Sequence, residues 1–216
     1  MQPLFLPIQC YTLEDLAHFM RQIEGITFDG FSIPVRALNL KEVTLFLMEF
    51  HRLGIKKVHI LGTTSFPMIA LSAYFARHIF EWVSLDSTTW RKMAQNSVYL
   101  NPLDLSTMPV NESSKTRDYQ ILCQCPFCFG RTFQFIRDLP YTDRVALLRS
   151  HNFYATKNVA EALHANATDL LTYEAFLKTR TKKTKLIRDL VESLSVIDIS
   201  KNNESETNQR ISGATA

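Results

Sequence analysis

The chain has 216 residues, and a hydrophobic content of 46% can bury the core of one large or two small domains. Its four cysteines, three of them too crowded to pair across long loops, and the lack of an apolar leader argue against a secreted disulfide scaffold. No apolar run approaches the roughly 18 residues of a membrane span, so a cytoplasmic protein with no membrane partner is expected. The net charge of +3 is local in origin: Lys178, Arg180, Lys182, Lys183, Lys185 and Arg188 form a run without an acid, and elsewhere acidic residues outnumber basic ones, 21 to 18.

The first hundred residues alternate between short apolar runs and helical periodicity. "PLFLPIQ" reads as a buried strand ending at Gln9, and "TLEDLAHFMRQI" as a helix capped by Thr12 with Leu13, Leu16, Phe19, Met20 and Ile23 on one face. "TFDGFSIP" is a second strand, followed by a helix in "NLKEVTLFLMEFHRL" that stops at Gly54. "KKVHILG" and "FPMIALSAYFARHI" repeat the pair, and "FEWVSLDS" is a fourth strand. Continuous rather than alternating apolar strands imply parallel pairing with both faces covered, which makes this an α/β protein. Four such units form either a small open sheet or half of a (β/α)8 barrel of the TIM type.

After Pro102 the pattern changes. "LDLSTMPVNESSKTRD" reads as a polar loop, "YQILCQC" as a short strand, and the remainder as helices starting from Thr142 and Thr168 caps. Three regions are expected: residues 1–105 as the barrel-type half, 106–178 as a metal-binding and mostly helical subdomain, and 179–216 as a basic and then disordered tail. The basic run could touch phosphates, although such runs are more often solvated. Ligands of parallel sheets bind at the carboxyl ends of strands, which singles out Gln9, Cys10, residues 32–35, residues 62–64 and residues 86–88. Asp86 is the one carboxylate among them.

Cys123, Cys125 and Cys128 form C-x-C-x-x-C, and His151 follows on a helix, three residues after Leu148 and six after Val145. A Zn²⁺ ion accepts three thiolates and one imidazole in a closed tetrahedral site, so these four residues are expected to hold structural zinc. A redox pair of Cys125 and Cys128 would leave Cys123 unexplained, and iron–sulfur ligation would want a fourth cysteine.

"CQCPFC" followed by "LLRSHNFY" resembles, in order and spacing, the zinc site of the tRNA-guanine transglycosylases, where it lies in an insertion of a (β/α)8 barrel. "LDSTTWRKMAQNSVYLNP" is similar to the nucleophile segment of that family, particularly its archaeosine-type branch, with Asp86, Ser87 and Trp90 at the matching places. The likeness covers about residues 3 to 165, the second half of the family barrel and its zinc insertion.

The resemblance implies exchange of guanine for a 7-deazaguanine base in tRNA, or in DNA as one branch does, through a covalent intermediate on Asp86. By position alone Asp86 reads rather as a helix N-cap, and the resemblance is what favours the nucleophile. Gln9 matches a base-reading glutamine, and Ser32 and Ile33 match positions that present backbone groups to the base. Arg91 and Lys92 lie near phosphate-contacting positions. "IPVRA" departs from the Gly-Gly-Leu of the queuosine-type members. The family's second aspartate, its general acid, lies in the barrel half without a counterpart here, so a partner chain, a homodimer or an amino-terminal truncation is expected. A non-catalytic, zinc-stabilised assembly subunit is the alternative function.

Overall fold

The structure is a computed structural model and describes residues 4–110, 121 and 123–197. Its first part follows the expected alternation: β1 (Phe5–Pro7), α1 (Leu13–Gln22), β2 (Gly30–Pro34), α2 (Leu40–Arg52), β3 (Lys57–Leu61), α3 (Phe66–His78) and β4 (Trp82–Leu85). Local chemistry sets the helix starts. Thr12 and Asp15 close a capping box on α1, and Asn39 and Glu42 close one on α2, each satisfying two N–H groups that a helix start leaves open.

The strands form one four-stranded sheet in the order β1-β2-β3-β4, every pair parallel. Neighbours in sequence are neighbours in space, so right-handed crossovers put α1, α2 and α3 on one face. Ile8, Phe31, Ile33, Val35, Val58 and Ile60 point to that face and meet Leu16, Val43, Leu47 and Phe50 in one apolar core. The register places Ser32 beside His59 and His59 beside Ser84 on the opposite face, with Lys57 and Trp82 one layer below. That second face is polar and partly open: Trp82 is 42% exposed and the Asp86 side chain 57%.

Helix α3 is buried on all sides, from Met68 through Phe75. An all-round apolar helix needs a partner on each side. The sheet supplies one, and α6 (Tyr141–Asn166) and α7 (Leu170–Arg180) supply the other. Tyr173 donates from its hydroxyl to the Ala70 carbonyl at 2.9 Å and stacks on Tyr74 at 5.5 Å.

The remaining elements are α4 (Thr89–Gln95), β5 (Val98–Leu100), β6 (Thr107–Pro109) and α5 (Phe133–Asp138), with a further helix, α8, over residues 184–197. Four expectations need correction here. The polar stretch after Pro102 contains β6, which pairs antiparallel with β5. Residues 121, 123 and 124 of "YQILCQC" are not a strand, and Tyr119, Gln120 and Leu122 lie outside the described residues. Helix α6 starts at Tyr141 after Pro140, and α7 is capped by Asp169, whose carboxylate accepts the Thr172 N–H at 2.8 Å; an ionised acceptor beside the helix dipole outcompetes the Thr168 hydroxyl.

The fourth correction concerns the expected tail from residue 179. Ile187, Leu190, Leu194 and Ile197 are buried in the main core, while Lys185 on the outer side pairs with Asp189. The charges are one face of an amphipathic helix. The stretch from about residue 200 onward, expected to be disordered, lies outside the described residues. Among the described residues, no helix is long and apolar enough to cross a membrane.

Candidate metal centre and strand-end cleft

The three cysteines sit on a tight knuckle. The Cys128 and Phe129 N–H groups both bond the Cys125 carbonyl, at 3.3 and 3.0 Å, and Gly130 adopts a positive φ of 71° that turns the chain back. The Cys125 N–H points at the Cys123 sulfur, 3.4 Å away. Helix α6 brings His151 against this knuckle: its Nδ1 lies 3.7, 3.3 and 3.4 Å from the Sγ atoms of Cys123, Cys125 and Cys128.

All four ligand atoms fall within 4.8 Å of one another and all four residues are buried. The edges of a tetrahedron around zinc with these donors measure about 3.5–3.8 Å. The sulfur-to-nitrogen distances match that geometry, while Cys125 and Cys128 stand closer, at 3.0 Å, and all the cysteines are free. The donor set therefore fits a structural metal ion. Cys123, Cys125, Cys128 and His151 would hold it, and its chemistry there would be cross-linking rather than catalysis, since four protein donors complete the coordination.

Electrostatics points the same way. The Cys123 thiol is pulled down to about 3, chiefly by its hydrogen bond with Cys128 and despite burial. Cys128 is driven up by that same contact and by burial, and burial raises Cys125. Without a cation the cluster holds one negative charge readily and resists a second. Three thiolates together need a positive charge among them.

The groups around the four donors are also held in place. His151 directs Nε2 at the Leu100 carbonyl, 2.8 Å away, which orients Nδ1 toward the sulfurs, and the Tyr99 ring stacks on the imidazole at 3.9 Å. Asn152 accepts the Leu100 N–H at 2.9 Å and donates to the carbonyls of Val98, at 2.9 Å, and Trp90, at 3.3 Å. The candidate ligand His151 and its neighbour Asn152 thus tie the cluster to β5 and α4.

Helix α4 follows directly from the carboxyl end of β4, where Asp86 stands. The Asp86 N–H continues the ladder to Ile60, and its Oδ1 accepts the Gly62 N–H at 2.8 Å. Gly62 has a φ of 87°, a conformation that glycine adopts without strain. Asp86 does not cap α4: the N-cap is Thr88, and the Ser87 hydroxyl accepts the Thr89 N–H at 3.0 Å. On the sheet face the His59 ring lies beside it, with Nε2 3.9 Å from Asp86 Oδ2 and Nδ1 2.5 Å from Ser84 Oγ.

Asp86 and Lys92 line a cleft of about 460 Å³ together with Pro34, Arg36, Ser87 and Thr88. Of the other expected site residues, Gln9, Ser32, Ile33 and Arg91 are outside its lining. Gln9 is exposed just past β1, the Ser32 carbonyl is taken by the Ile8 N–H at 2.8 Å, and the Ile33 side chain is buried in the core on the helix side. The sequence reasoning passed over Arg36 and His59. Arg36 carried no periodic or motif signal. His59 carried one: an imidazole inside the otherwise aliphatic "KVHIL" breaks the buried-strand pattern.

Fold and site together define a mixed α/β protein, with four parallel strands and a buried Cys3His cluster that could hold a metal. The chain matches no protein-family model and no curated protein.

Proposed function

We propose that this chain carries the nucleophile of a nucleic-acid guanine transglycosylase, with its four β-α units forming half of a (β/α)8 barrel and zinc in the Cys3His site. The observation that carries the reading is the join between the two centres. The HN pair of α6 reaches the main chain of Trp90, Val98 and Leu100, in the segment that follows β4 and Asp86. A metal-tied clamp on that segment holds a strand-end carboxylate still, as an in-line attack requires.

In this reading the Asp86 carboxylate attacks C1′ of a guanosine nucleotide in tRNA or DNA. Guanine departs, a covalent glycosyl–enzyme ester forms, and a 7-deazaguanine base displaces the carboxylate with net retention of configuration. Arg36 and Lys92 flank the carboxylate and suit the phosphates on either side of the sugar. A partner chain or a second copy would close the barrel over the open face.

The test is trapping. Wild-type protein incubated with guanine-containing tRNA or DNA and a 7-deazaguanine base is expected to give an adduct that survives denaturation and disappears in Asp86→Asn. Absence of any Asp86-dependent adduct overturns the reading. One observation favours the alternative of a non-catalytic assembly subunit: among the described residues, no second carboxylate lines the cleft. The trapping experiment separates the two.

A further inference from the structure

We propose that His59, which stands beside Asp86 and just below the lining of the cleft, is the proton carrier, donating to the base that leaves Asp86 and accepting from the base that enters. This rests on the transglycosylase reading above and supplies the acid that the resemblance places elsewhere. The argument is one of position. Layer by layer, the open sheet face carries Phe5, Lys57 and Trp82 at the bottom, then Ser32, His59 and Ser84, then Asp86 at the top. His59 stands one layer below the carboxylate and on the adjacent strand.

Its ring is fixed at both ends. The Ser84 hydroxyl holds Nδ1, at 2.5 Å, and can either donate to it or accept from it, so the imidazole can change charge without losing this partner. Phe5 and Trp82 lie against the ring, with centroids at 6.3 and 6.5 Å. That leaves Nε2 as the free working atom, pointing to Asp86 Oδ2 at 3.9 Å. In retaining glycosidases the nucleophile and the acid stand about 5–5.5 Å apart, so a sugar seated against both would have to part the ring tip from the carboxylate by about 1–1.5 Å.

The other cations near Asp86 do not suit the task. Arg36 and Lys92 are engaged with the flanking phosphates in that reading, and Lys57 lies a layer lower beside Asp29, at 3.6 Å. An imidazole serves as both general acid and general base.

The proton balance closes over the two steps. As the Asp86 oxygen bonds C1′, the C1′–N9 bond breaks, its electron pair goes to N9, and the proton on Nε2 passes to the guanine. As the nitrogen of the 7-deazaguanine bonds C1′, the ester bond breaks, Asp86 regains its negative charge and the proton of that nitrogen returns to His59.

The experiment compares two leaving groups in the same oligonucleotide, guanine and 7-methylguanine. The methylated base is already cationic and departs without an acid. In His59→Gln, adduct formation on guanine is expected to slow by roughly 100-fold or more, while on 7-methylguanine it stays within about threefold of wild type. Retained reaction on the methylated base also shows that the variant is folded. Equal slowing on both substrates, or on neither, overturns the role of His59 while leaving Asp86 as nucleophile. So does a wild type that reacts with 7-methylguanine alone. A wild type that reacts with neither sinks the underlying reading as well. Ser84→Ala keeps the imidazole and is the second variant: a loss selective for guanine is expected, and no selectivity in it counts against the proposal should His59→Gln fail to fold.

Discussion

Asn152 accepts the main-chain N–H of Leu100 at 2.9 Å while its neighbour His151 takes the carbonyl of the same residue at 2.8 Å. Two consecutive side chains of α6 therefore satisfy both polar groups of one buried residue in β5. The pair works as a rivet between the Cys3His cluster and the segment that follows Asp86.

Asn152→Ala removes an acceptor from Leu100 N–H and donors from the Val98 and Trp90 carbonyls. Stranded main-chain groups cost about 1–3 kcal/mol each, so a loss of about 3 kcal/mol or more is expected in denaturant titration. Zinc content should stay near wild type, because the four donors remain. A loss of metal alongside the stability would show that Asn152 supports the ligands rather than α4 and β5.

Metal analysis of the purified chain is expected to give about one zinc per chain, and Cys125→Ser or His151→Ala to lower it. Structural zinc contributes on the order of 10 kcal/mol of apparent binding energy, so chelation should release the knuckle and the start of α6 into rapid hydrogen exchange. The amides of β2 and β3 are expected to keep their protection, since their core is formed by α1, α2 and α3. Uniform exchange everywhere after chelation would show one cooperative unit instead.

At Gly30 an added Cβ would sit 2.3 Å from the Lys57 carbonyl oxygen and 2.8 Å from Phe5 Cε1. The oxygen belongs to the neighbouring strand and cannot swing away as a side-chain end can. Gly30→Ala is expected to cost at least about 3 kcal/mol by forcing β2 off β3. A thermal melt within a degree or two of wild type would show that the β2–β3 pairing gives more easily than this contact implies.

Asp104 joins the β5–β6 connection to the α7–α8 link through hydrogen bonds from Ser106, at 2.6 and 3.0 Å, and from the Thr181 hydroxyl at 3.0 Å. Burial opposes its charge, but these donors and Lys183 outweigh that and hold the carboxyl below its ordinary range. A lowered folded value means stability present above the unfolded pKa of about 3.9 and lost as pH falls through the folded one. Asp104→Asn should therefore melt earlier than wild type at pH 7, with the gap closing below about pH 4. A gap that persists unchanged at pH 3 would place the loss in packing, not charge.

Arg36 and Lys92 flank Asp86 in the cleft. If a nucleic-acid backbone runs there, Arg36→Ala and Lys92→Ala should each weaken oligonucleotide binding across sequences and reduce the slope of log affinity against log salt by about 1. Unchanged slopes in both variants would move the backbone elsewhere.

Much of the fold was legible from local chemistry. The β-α alternation, the Thr12 cap and the stop at Gly54 follow from periodicity and backbone preference, both carried by short windows. The cysteine cluster was legible because C-x-C-x-x-C has few uses. Residues 184–197 misled because net charge in a window outweighed a 3.6-residue apolar repeat at Ile187, Leu190, Leu194 and Ile197. The β5–β6 pair was hidden because strands this short carry too little pattern to stand out.

By itself, then, the order of residues determined the four β-α units, where α1 and α2 begin, and which four side chains gather at the knuckle. Only the tertiary structure decided that Thr88 rather than Asp86 is the N-cap of α4, that His59 and Ser84 stand beneath the carboxylate, and that Arg36 lines the same cleft. Local signals arise within a few bonds of the chain, whereas those juxtapositions depend on strand register, which pairs residues about 25 positions apart.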